Sequence, residues 1–439
     1  MQIAQQILFA VLTALAVWLF IKKAKFITRN INLGREEKFS PHPDRWKNLL
    51  LIAFGQKRMF EKPFVALLHF IVYAGFIIIN IEILEIILDG ILGTHRLFEP
   101  HLGSFYSFVI NFFEVLALLV LVSCVIFLFR RNIVKVKRLV MRELDGWPKS
   151  DANYILIFEI VLMSLFLIMN AADRGLQLKG ATGYHDVGAF WVSGMFSPLL
   201  QTFSTSTLVA IERAAWWLHI AGIFVFLNYL PYSKHLHIIL SFPNTYYARI
   251  APQGKMQNMP EVQQEVLYAM QPELANGADQ DEHKRFGAKD IFDLSWKNLL
   301  DAYTCTECGR CTAACPANNT GKKLSPRKIM MDTRDRMEEV GTSIDKNGSF
   351  EIDGKSLLYD YITTEELWAC TSCQACVQAC PVLINPLHII NQLKRTLVLE
   401  ESTQPQEWNG MYSNIENNFA PWQFSPDERD KWTTDLANG

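Results

Sequence analysis

Two segments in the last third of the chain repeat one pattern of cysteines. CTECGRCTAACP begins at Cys305 and CTSCQACVQACP begins at Cys370, so each copy reads C-x2-C-x2-C-x3-C-P. This spacing is typical of 4Fe–4S binding, because three thiolates in one tight turn can reach three irons of one cluster while the fourth, before the proline, ligates the other cluster. Zinc also binds CxxC pairs, but two complete copies with both prolines favour iron and sulfur.

The pattern predicts two ligand sets, each made of three cysteines from one copy and the last cysteine of the other. They are Cys305, Cys308, Cys311 and Cys380 for the first cluster, and Cys370, Cys373, Cys376 and Cys315 for the second. The ninth cysteine of the chain, Cys124, lies in an apolar run, where we interpret it as a packing residue. The chain is neither short nor typical of a secreted protein, so the tight spacing favours metal binding over disulfides.

Five apolar segments, all before residue 240, are long enough to cross a bilayer. They cover residues 3–21, 63–88, 105–129, 154–170 and 207–231. The first segment lacks a charged start and a clear cleavage site, so we interpret it as a retained helix rather than a signal peptide. The predicted fold class is an all-α membrane protein, a five-helix transmembrane bundle followed by a cytoplasmic α-helical ferredoxin domain.

Basic residues predict the orientation of this bundle. They are concentrated after the first and third apolar segments, at Lys22, Lys23, Lys25, Arg29, Arg130, Arg131, Lys135, Lys137 and Arg138. By the positive-inside rule, the N-terminus lies outside and residues 240–439 lie in the cytoplasm of a cell with a bacterial-type inner membrane. The net charge of −2 does not indicate a class of partner, but the lack of other basic tracts argues against nucleic acid.

Three histidines in or beside the apolar segments are candidate ligands of a haem iron: His69, His219 and His237. Ionisable residues inside a membrane commonly mark functional sites. On one continuous helix, His219 and His237 would lie on the same face, separated by about 27 Å along the axis, while His235 would point away. We expect His69 and His237 to bind one b haem near the inner face. Whether His219 binds a second, outer haem stays undecided, because the second segment has no histidine at that depth. A packing role for these histidines is the alternative.

Four glutamates also lie inside the apolar segments: Glu82, Glu85, Glu114 and Glu159. Such carboxyl groups can take or give the protons of a quinone, and they can equally be paired with polar neighbours. Glu82 and Glu85 are three residues apart and therefore share a helix face.

The segment between the two cysteine motifs is longer than in a minimal bacterial ferredoxin. SPRKIMMDTRDRMEEV, from Ser325, predicts a helix, and Thr363 with Glu366 has the spacing of a capping box that opens another. Helices around the clusters favour a helical ferredoxin over the small β/α type.

The cysteine motifs and their surroundings resemble a known family. LDAYTCTECGRCTAACPANNTGKKLSPRKIM and ELWACTSCQACVQACPVLINPLHII are similar to the iron–sulfur domain of heterodisulfide-reductase-related proteins, a helical ferredoxin also similar to that of succinate dehydrogenase. The apolar part is similar to the cytochrome b subunit of respiratory nitrate reductase and of membrane-bound heterodisulfide reductase. PYSKHLH, which ends at His237, resembles the inner haem-ligand segment of that subunit, and His69 matches one of its two ligands on the second helix.

The resemblance implies a membrane-bound electron-transfer subunit of a quinone-linked oxidoreductase complex, with no catalytic residue of its own. Electrons would pass between a cytoplasmic redox partner and a menaquinone-type quinone through two 4Fe–4S clusters and b haem. The partner would be a separate subunit with CCG-type paired cysteines or a flavoprotein, including an electron-transfer flavoprotein. A haem-free membrane anchor or redox sensor with the same clusters is the alternative.

Larger relatives continue into a domain with CCG motifs, whereas no cysteine follows Cys380 here. The tail NIENNFAPWQFSPDERDKW resembles the linker to that domain, so we expect Trp408, Trp422 and Trp432 to dock a separate subunit, unless the tail packs on its own domain. The predicted domains are a five-helix cytochrome b-like domain (1–240), a linker (241–289), the dicluster helical ferredoxin domain (290–400) and the tail (401–439).

Overall fold

A computed structural model describes residues 2–275, 285–423 and 425–438. Within these ranges the regular structure is helical, and β-type pairing is limited to two isolated bridges, Arg35 with Ser295 and Leu358 with Ile362. The predicted all-α class, with long apolar helices first and a helical cysteine-rich part after them, is confirmed. We refer to residues 2–250 as the membrane half and to residues 285–423 as the cysteine half.

The membrane half contains five helices that are long and apolar enough to cross a membrane, as predicted, together with shorter ones. In chain order they are α1 (Gln2–Ile31), α2 (Pro43–Asn48), α3 (Pro63–Leu92), α4 (Glu99–Leu102), α5 (Ser104–Asn132), α6 (Trp147–Leu178), α7 (Ser197–Leu200), α8 (Thr205–Tyr229) and α9 (His237–Tyr246). A π-helical turn covers Leu49–Phe54, and 3-10 turns lie at Lys137–Leu139, Arg142–Leu144, Ser193–Phe196, Leu230–Tyr232 and Lys234–Leu236. The five long helices are α1, α3, α5, α6 and α8.

These five helices pack in a ring in which each contacts the next along the chain, and α8 returns to α1. Phe9 of α1 lies in the apolar interior, with its ring centroid 5.5 Å from that of Trp216 and 6.0 Å from that of Trp217. A Cβ atom on Gly90 of α3 would lie only 2.6 Å from the Phe9 ring. The glycine therefore lets α1 and α3 approach each other closely, as small residues do between membrane helices.

The chain leaves the last long helix before it reaches His237. α8 ends at Tyr229, and α9 begins at His237 after two 3-10 turns. Pro231 cannot donate a backbone hydrogen bond, and Ser233 has an extended backbone with φ −113° and ψ 152°. His219 and His237 therefore lie on different helices, so the expectation that they share one face of a continuous helix was wrong.

The helices of the cysteine half and its flanking segments are shorter. They are α10 (Pro260–Met270), α11 (Trp296–Thr304), α12 (Arg310–Ala314), α13 (Pro316–Asn319), α14 (Pro326–Asn347), α15 (Thr364–Trp368), α16 (Ala375–Ala379), α17 (Pro386–Leu399), α18 (Gln406–Asn418) and α19 (Lys431–Asn438). Short 3-10 turns lie at Pro272–Ala275, Ile291–Asp293 and Pro426–Glu428, and Leu357–Tyr361 forms a turn in which Leu358 and Tyr359 have non-helical backbone angles. α14 is the helix expected from SPRKIMMDTRDRMEEV, and the predicted capping box of Thr363 and Glu366 opens α15.

The cysteine half packs against one end of the helical ring. Ile27 of α1 and Leu236 belong to the same apolar core as residues of the cysteine half. Asn30 of α1 is fully buried and donates hydrogen bonds to the hydroxyl of Tyr303 at 3.0 Å and to the carbonyl of Met337 at 3.2 Å. The two halves therefore share one core rather than meeting across a solvated gap.

Gly341 of α14 is a point of close approach between the halves, since a Cβ atom there would lie 2.3 Å from the amide nitrogen of Asn30. We expect Gly341→Leu to lower the free energy of unfolding by about 2–4 kcal/mol, because the larger side chain has no space and Asn30 loses its partners. Thermal unfolding of the detergent-purified protein measures the effect. Gly410→Leu on α18, where nothing lies within 4 Å of an added Cβ, is the control. Equal stability of the two variants would contradict the close contact.

Candidate metal centres

The structure brings the eight cysteines of the two motifs together in two groups of four, each around its own cavity. The first cavity is lined by Cys305, Cys308, Cys311 and Cys380, and the second by Cys315, Cys370, Cys373 and Cys376. The cavities have about 390 and 330 Å³ of empty space, part of it open to solvent. Helices α12 and α16, each between the second and fourth cysteine of its motif, pack against each other, so the last cysteine of each motif enters the cavity of the other.

Each group of sulfur atoms surrounds a cavity rather than a single point. Among the residues that the structure describes, no three His, Cys, Asp or Glu side chains converge as the ligands of one ion would. Zinc draws its sulfur ligands to about 2.3 Å from one centre, whereas each thiolate of a 4Fe–4S site binds a separate iron. The two groups therefore fit multinuclear clusters better than single zinc ions.

The two CxxCxxC loops have the same backbone conformation. Glu307 and Ser372, at equivalent positions, have φ of +54° and +56°, and Gly309 and Gln374 have φ of +72° and +65°. Alternation of left-handed residues with ordinary ones turns successive backbone N–H groups toward one concave side, which suits an anionic group. In the second loop, the N–H of Ser372 already lies 3.4 Å from the Sγ atom of Cys370.

Burial raises the pKa of several of these thiols, of Cys305 to about 11 and of Cys376 and Cys380 to about 12. Thiols in such surroundings stay protonated at neutral pH unless a metal ion takes the place of the proton. The cavities therefore suit thiolates bound to iron and do not suit free, reactive cysteines.

The first cavity faces the membrane half. Arg58, just before α3, donates to the carbonyl of Cys380 at 3.0 Å, and Arg138, after α5, donates to the carbonyl of Cys308 at 3.1 Å. Arg310 lines the cavity, is 8% exposed, and donates to the carbonyl of Arg58 at 3.2 Å. The chain thus surrounds this cavity with guanidinium groups, which stabilise the extra negative charge of a reduced cluster.

The second cavity lies toward the surface, and Cys373 is the one exposed residue among the motif cysteines, which are all described. Lys394 donates to the carbonyl of Cys370 at 2.6 Å, and its ammonium lies 5.5 Å from the centroid of the Trp368 ring. Trp408 of α18 packs against Trp368 with 5.0 Å between ring centroids. The beginning of the tail therefore packs on its own domain, next to the exposed cluster site.

Because a different cationic residue lies beside each cavity, we expect removal of each one to change the reduction potential of its own cluster. We expect Arg310→Met to lower the reduction potential of one cluster by ~50–100 mV, because the reduced cluster loses a neighbouring positive charge. Lys394→Met makes the matched change at the second cavity and should lower the potential of the other cluster. Redox titration followed by EPR separates the two. If both variants shifted the same cluster, the assignment of the cavities would be wrong.

The candidate haem ligands His69 and His237 lie next to each other at the end of the ring that carries the cysteine half. Their ring centroids are 6.4 Å apart, at an interplanar angle of 42°. Two imidazoles on opposite sides of one iron, at metal–nitrogen bonds of about 2 Å, have ring centres about 6 Å apart. The Nδ1 atom of His69 donates to Oε1 of Gln56 at 3.0 Å, and that of His237 donates to the carbonyl of Lys234 at 3.1 Å. The Nε2 atom of each ring therefore carries the lone pair that a metal requires.

The third candidate, His219, lies apart from this pair. Its ring centroid is 6.1 Å from that of Phe166, its Nδ1 atom donates to the carbonyl of Leu162 at 3.0 Å, and no histidine ring contacts it within the described ranges. His235, which was expected to point away, has its ring centroid 5.6 Å from that of His237. The structure therefore brings His69 and His237 together, places His235 beside them and leaves His219 in a packing environment.

Two of the four intramembrane glutamates are fully paired. Glu85 accepts hydrogen bonds from the hydroxyl of Tyr106 at 2.7 Å and from a backbone N–H at 2.8 Å. Glu114 accepts from two backbone N–H groups at 2.9 and 3.2 Å. Glu82 is buried with its Oε2 atom unpaired among the described residues, and Glu159 is buried in α6. Glu85 and Glu114 thus hold the loops at the far end of the ring in place.

Several residues around the histidines and the first cavity could not be identified from the sequence. Gln56, Arg58 and Lys234 are ordinary polar residues in short connecting segments, without a motif of their own. The one available signal was that Lys234 lies inside PYSKHLH, the segment that resembles a haem-ligand segment.

Residues 304–384 match the family of 4Fe-4S dicluster domains. Over 98% of its length the chain is 30% identical to a protein of Bacillus subtilis (strain 168) named probable iron-sulfur-binding oxidoreductase FadF, and over 94% it is 28% identical to EtfAB:quinone oxidoreductase of Syntrophomonas wolfei. Over 27% it is 33% identical to a subunit of the ferredoxin/F(420)H(2)-dependent CoB-CoM heterodisulfide reductase of Methanosarcina acetivorans, and it covers 60% of that subunit. No solved structure matches the chain.

The dicluster match, together with the repeated cysteine motif, identifies two 4Fe–4S clusters in the cysteine half. The similarity to a heterodisulfide reductase subunit confirms the resemblance of this half to that family. The resemblance of the membrane half to a cytochrome b subunit stays a prediction. The chain spans 61% and 56% of the length of the two curated relatives that it matches along most of its own length.

Proposed function

We propose that this chain is a membrane-bound electron-transfer subunit that carries electrons between a soluble redox partner and quinone. The electrons would pass through the two 4Fe–4S clusters and one b haem near the cysteine half. The observation that carries this proposal is spatial order: an exposed cysteine cavity, then a cavity that contacts the membrane half, then a histidine pair at the same end of the helical ring. A series of such centres divides a distance that is too long for one transfer step.

The residues present at the histidine pair fit a haem iron. His69 and His237, with ring centroids 6.4 Å apart, would hold the iron through Nε2, since both Nδ1 atoms are hydrogen-bonded to carbonyl oxygens. Arg131, at the same end of the ring, is buried with two guanidinium nitrogens unpaired among the described residues, so it offers a counter-charge for a haem propionate. A bound haem supplies a one-electron carrier, and we propose that His69 and His237 hold it while His219 does not.

We propose an electron-transfer flavoprotein as the soluble partner and a menaquinone-type quinone as the membrane substrate. The support comes from the name of the Syntrophomonas wolfei relative, EtfAB:quinone oxidoreductase, which aligns with 94% of this chain. A separate subunit with CCG-type cysteines is the alternative partner. Either would meet the exposed second cavity, and the exposed Trp422 and Trp432 of the tail would extend that docking surface.

We propose that the cysteine half faces the cytoplasm of a bacterial-type cell and that the N-terminus lies outside. The basic residues in the last turns of α1 and α5 and just beyond α5 lie at the end of the ring that carries the cysteine half, as Arg138 beside Cys308 illustrates. The proposed division into domains follows the same line, with the membrane domain at 1–240, a linker at 241–289, the dicluster domain at 290–400 and the tail at 401–439.

The first test is a visible spectrum of the detergent-purified protein, oxidised and dithionite-reduced, with quantification of haem and of non-haem iron. We expect b-type bands at about one haem per chain and about eight non-haem irons, four for each cluster. About eight irons without haem would overturn the proposed path through His69 and His237. The clusters would then deliver electrons to quinone directly, or the membrane half would serve only as an anchor.

A further inference from the structure

We propose that Gln56 and Lys234 are positioning residues that connect the ligand loops of the first cluster to the two haem histidines. The inference rests on the proposed function, since it assumes a haem on His69 and His237. Each histidine is held through Nδ1 by one of these two residues. Each of the two residues is in turn tied, directly or through a near neighbour, to a different part of the first cysteine cavity.

The first connection runs through Lys234. Its ammonium group forms an ion pair with Glu307, which lies between Cys305 and Cys308 in the first loop, and its own carbonyl accepts the Nδ1–H of His237 at 3.1 Å. Glu307 is 4% exposed. One residue therefore spans from the ligand loop of the cluster to a proposed haem ligand.

Lys234 is itself held in place from the membrane half. Its backbone N–H donates to Oδ2 of Asp151 at 3.1 Å, and its ammonium donates to the carbonyl of Pro148 at 2.6 Å. Both partners lie at the start of α6. The carbonyl that orients His237 is therefore fixed by contacts on both sides of the junction between the halves.

The second connection runs through the segment before α3. The Oε1 atom of Gln56 accepts the Nδ1–H of His69 at 3.0 Å, and Gln56 is 6% exposed. Two residues later, the guanidinium of Arg58 donates to the carbonyls of Gln378 and Cys380 at 3.2 and 3.0 Å. Cys380 is the cysteine that the second motif contributes to the first cavity.

The two connections thus reach the first cavity from its two ligand-bearing segments, the CxxCxxC loop and the separate fourth cysteine. A hydrogen bond to the second nitrogen of a ligating histidine sets both the orientation of the ring and its basicity as a ligand. The docking of the cysteine half would therefore set the properties of the haem as well as its distance from the cluster. Removal of the Lys234 ammonium would also change the charge beside the first cluster, because among the described residues Glu307 would keep one ion-pair partner, Arg334 at 2.6 Å.

The test uses the full-length purified protein and the variants Lys234→Met, Lys234→Arg and Gln56→Leu. We expect Lys234→Met to lower the reduction potential of the haem by at least about 59 mV, which is a tenfold change in the one-electron reduction equilibrium constant. Lys234→Arg should restore most of this loss. Gln56→Leu should change the g-values of the ferric haem in EPR, because His69 loses its orienting acceptor. Lys23→Met is the matched control: Lys23 also bridges the halves, to Glu338 at 2.9 Å, but contacts neither histidine.

Unchanged haem potential in Lys234→Met, together with unchanged haem g-values in Gln56→Leu, would overturn this inference while leaving the proposed function intact. Loss of haem from either variant with both clusters retained would support it. Loss of clusters as well would mark a folding defect in that variant, and the other variant then decides. Absence of haem from the unmodified protein would instead overturn the proposed electron path, and this inference with it.

Discussion

A Cys380→Ala variant is expected to lose the first cluster and keep the second, so that its non-haem iron falls from about eight to about four atoms per chain. Cys380 belongs by sequence to the second motif, but its side chain lines the first cavity with Cys305, Cys308 and Cys311. Removal of one ligand exposes a cluster to hydrolysis and leaves the other cavity complete. Iron and acid-labile sulfide quantification of the purified variant measures the result.

Double variants test the exchange of the last cysteine between the motifs. Cys308→Ala combined with Cys380→Ala should retain about four irons, because both cysteines serve one cluster, whereas Cys373→Ala combined with Cys380→Ala should retain almost none. Cys124→Ala is the control, since this cysteine is buried among the membrane helices and should leave the iron content unchanged. The proposed ligand sets would be wrong if the first double variant lost all of its iron.

A His237→Ala variant is expected to contain no haem while both clusters remain. The ring centroid of His237 lies 6.4 Å from that of His69, and its Nδ1 atom is already hydrogen-bonded to a carbonyl, so Nε2 would be the atom available to iron. His69→Ala should have the same effect, because the proposal has both histidines hold the haem iron and one of them alone would bind it too weakly to survive purification. Haem extraction as the pyridine haemochrome, normalised to protein and to non-haem iron, measures the loss.

Neighbouring histidines provide matched controls for this prediction. His235→Ala removes a ring whose centroid lies 5.6 Å from that of His237, and His219→Ala removes a buried ring within α8. Neither should reduce the ratio of haem to protein. If His219→Ala lost about half of the haem from a protein with two, an outer haem would be present and its second ligand would lie elsewhere in the chain.

The cysteine ligands were accessible to sequence reasoning because their geometry is local. Three cysteines separated by two residues each cannot spread far along a tight turn, and the proline after the fourth ends that turn. The five apolar helices were accessible for a similar reason, since about 20 apolar residues at 1.5 Å each must span the hydrocarbon layer. The all-α class and the helices expected in the cysteine half followed from these lengths and from caps such as Thr363 with Glu366.

Arguments that extended a helix through a connecting segment failed. The comparison of faces between His219 and His237 required an unbroken helix, and the segment around Pro231 and Ser233 breaks it. The same break brings His235, which had been set aside, close to His237. The expected depth of the histidines in the membrane identified the pair that comes together, whereas their expected angle around a helix did not. A break in a helix changes the rise along the chain little, but it changes the direction in which a side chain points.

The helices, the candidate membrane spans and the set of cysteines that can bind iron could be read from the amino-acid order, because each depends on residues close together in the chain. The hydrogen-bond partners of those candidate ligands, in contrast, are visible in the folded chain alone. Gln56 meets His69 across 13 residues, Lys234 meets Glu307 across 73 and Arg58 meets Cys380 across 322. Hydrogen bonds over such separations depend on how the two halves pack, and no local pattern of residue types encodes that packing.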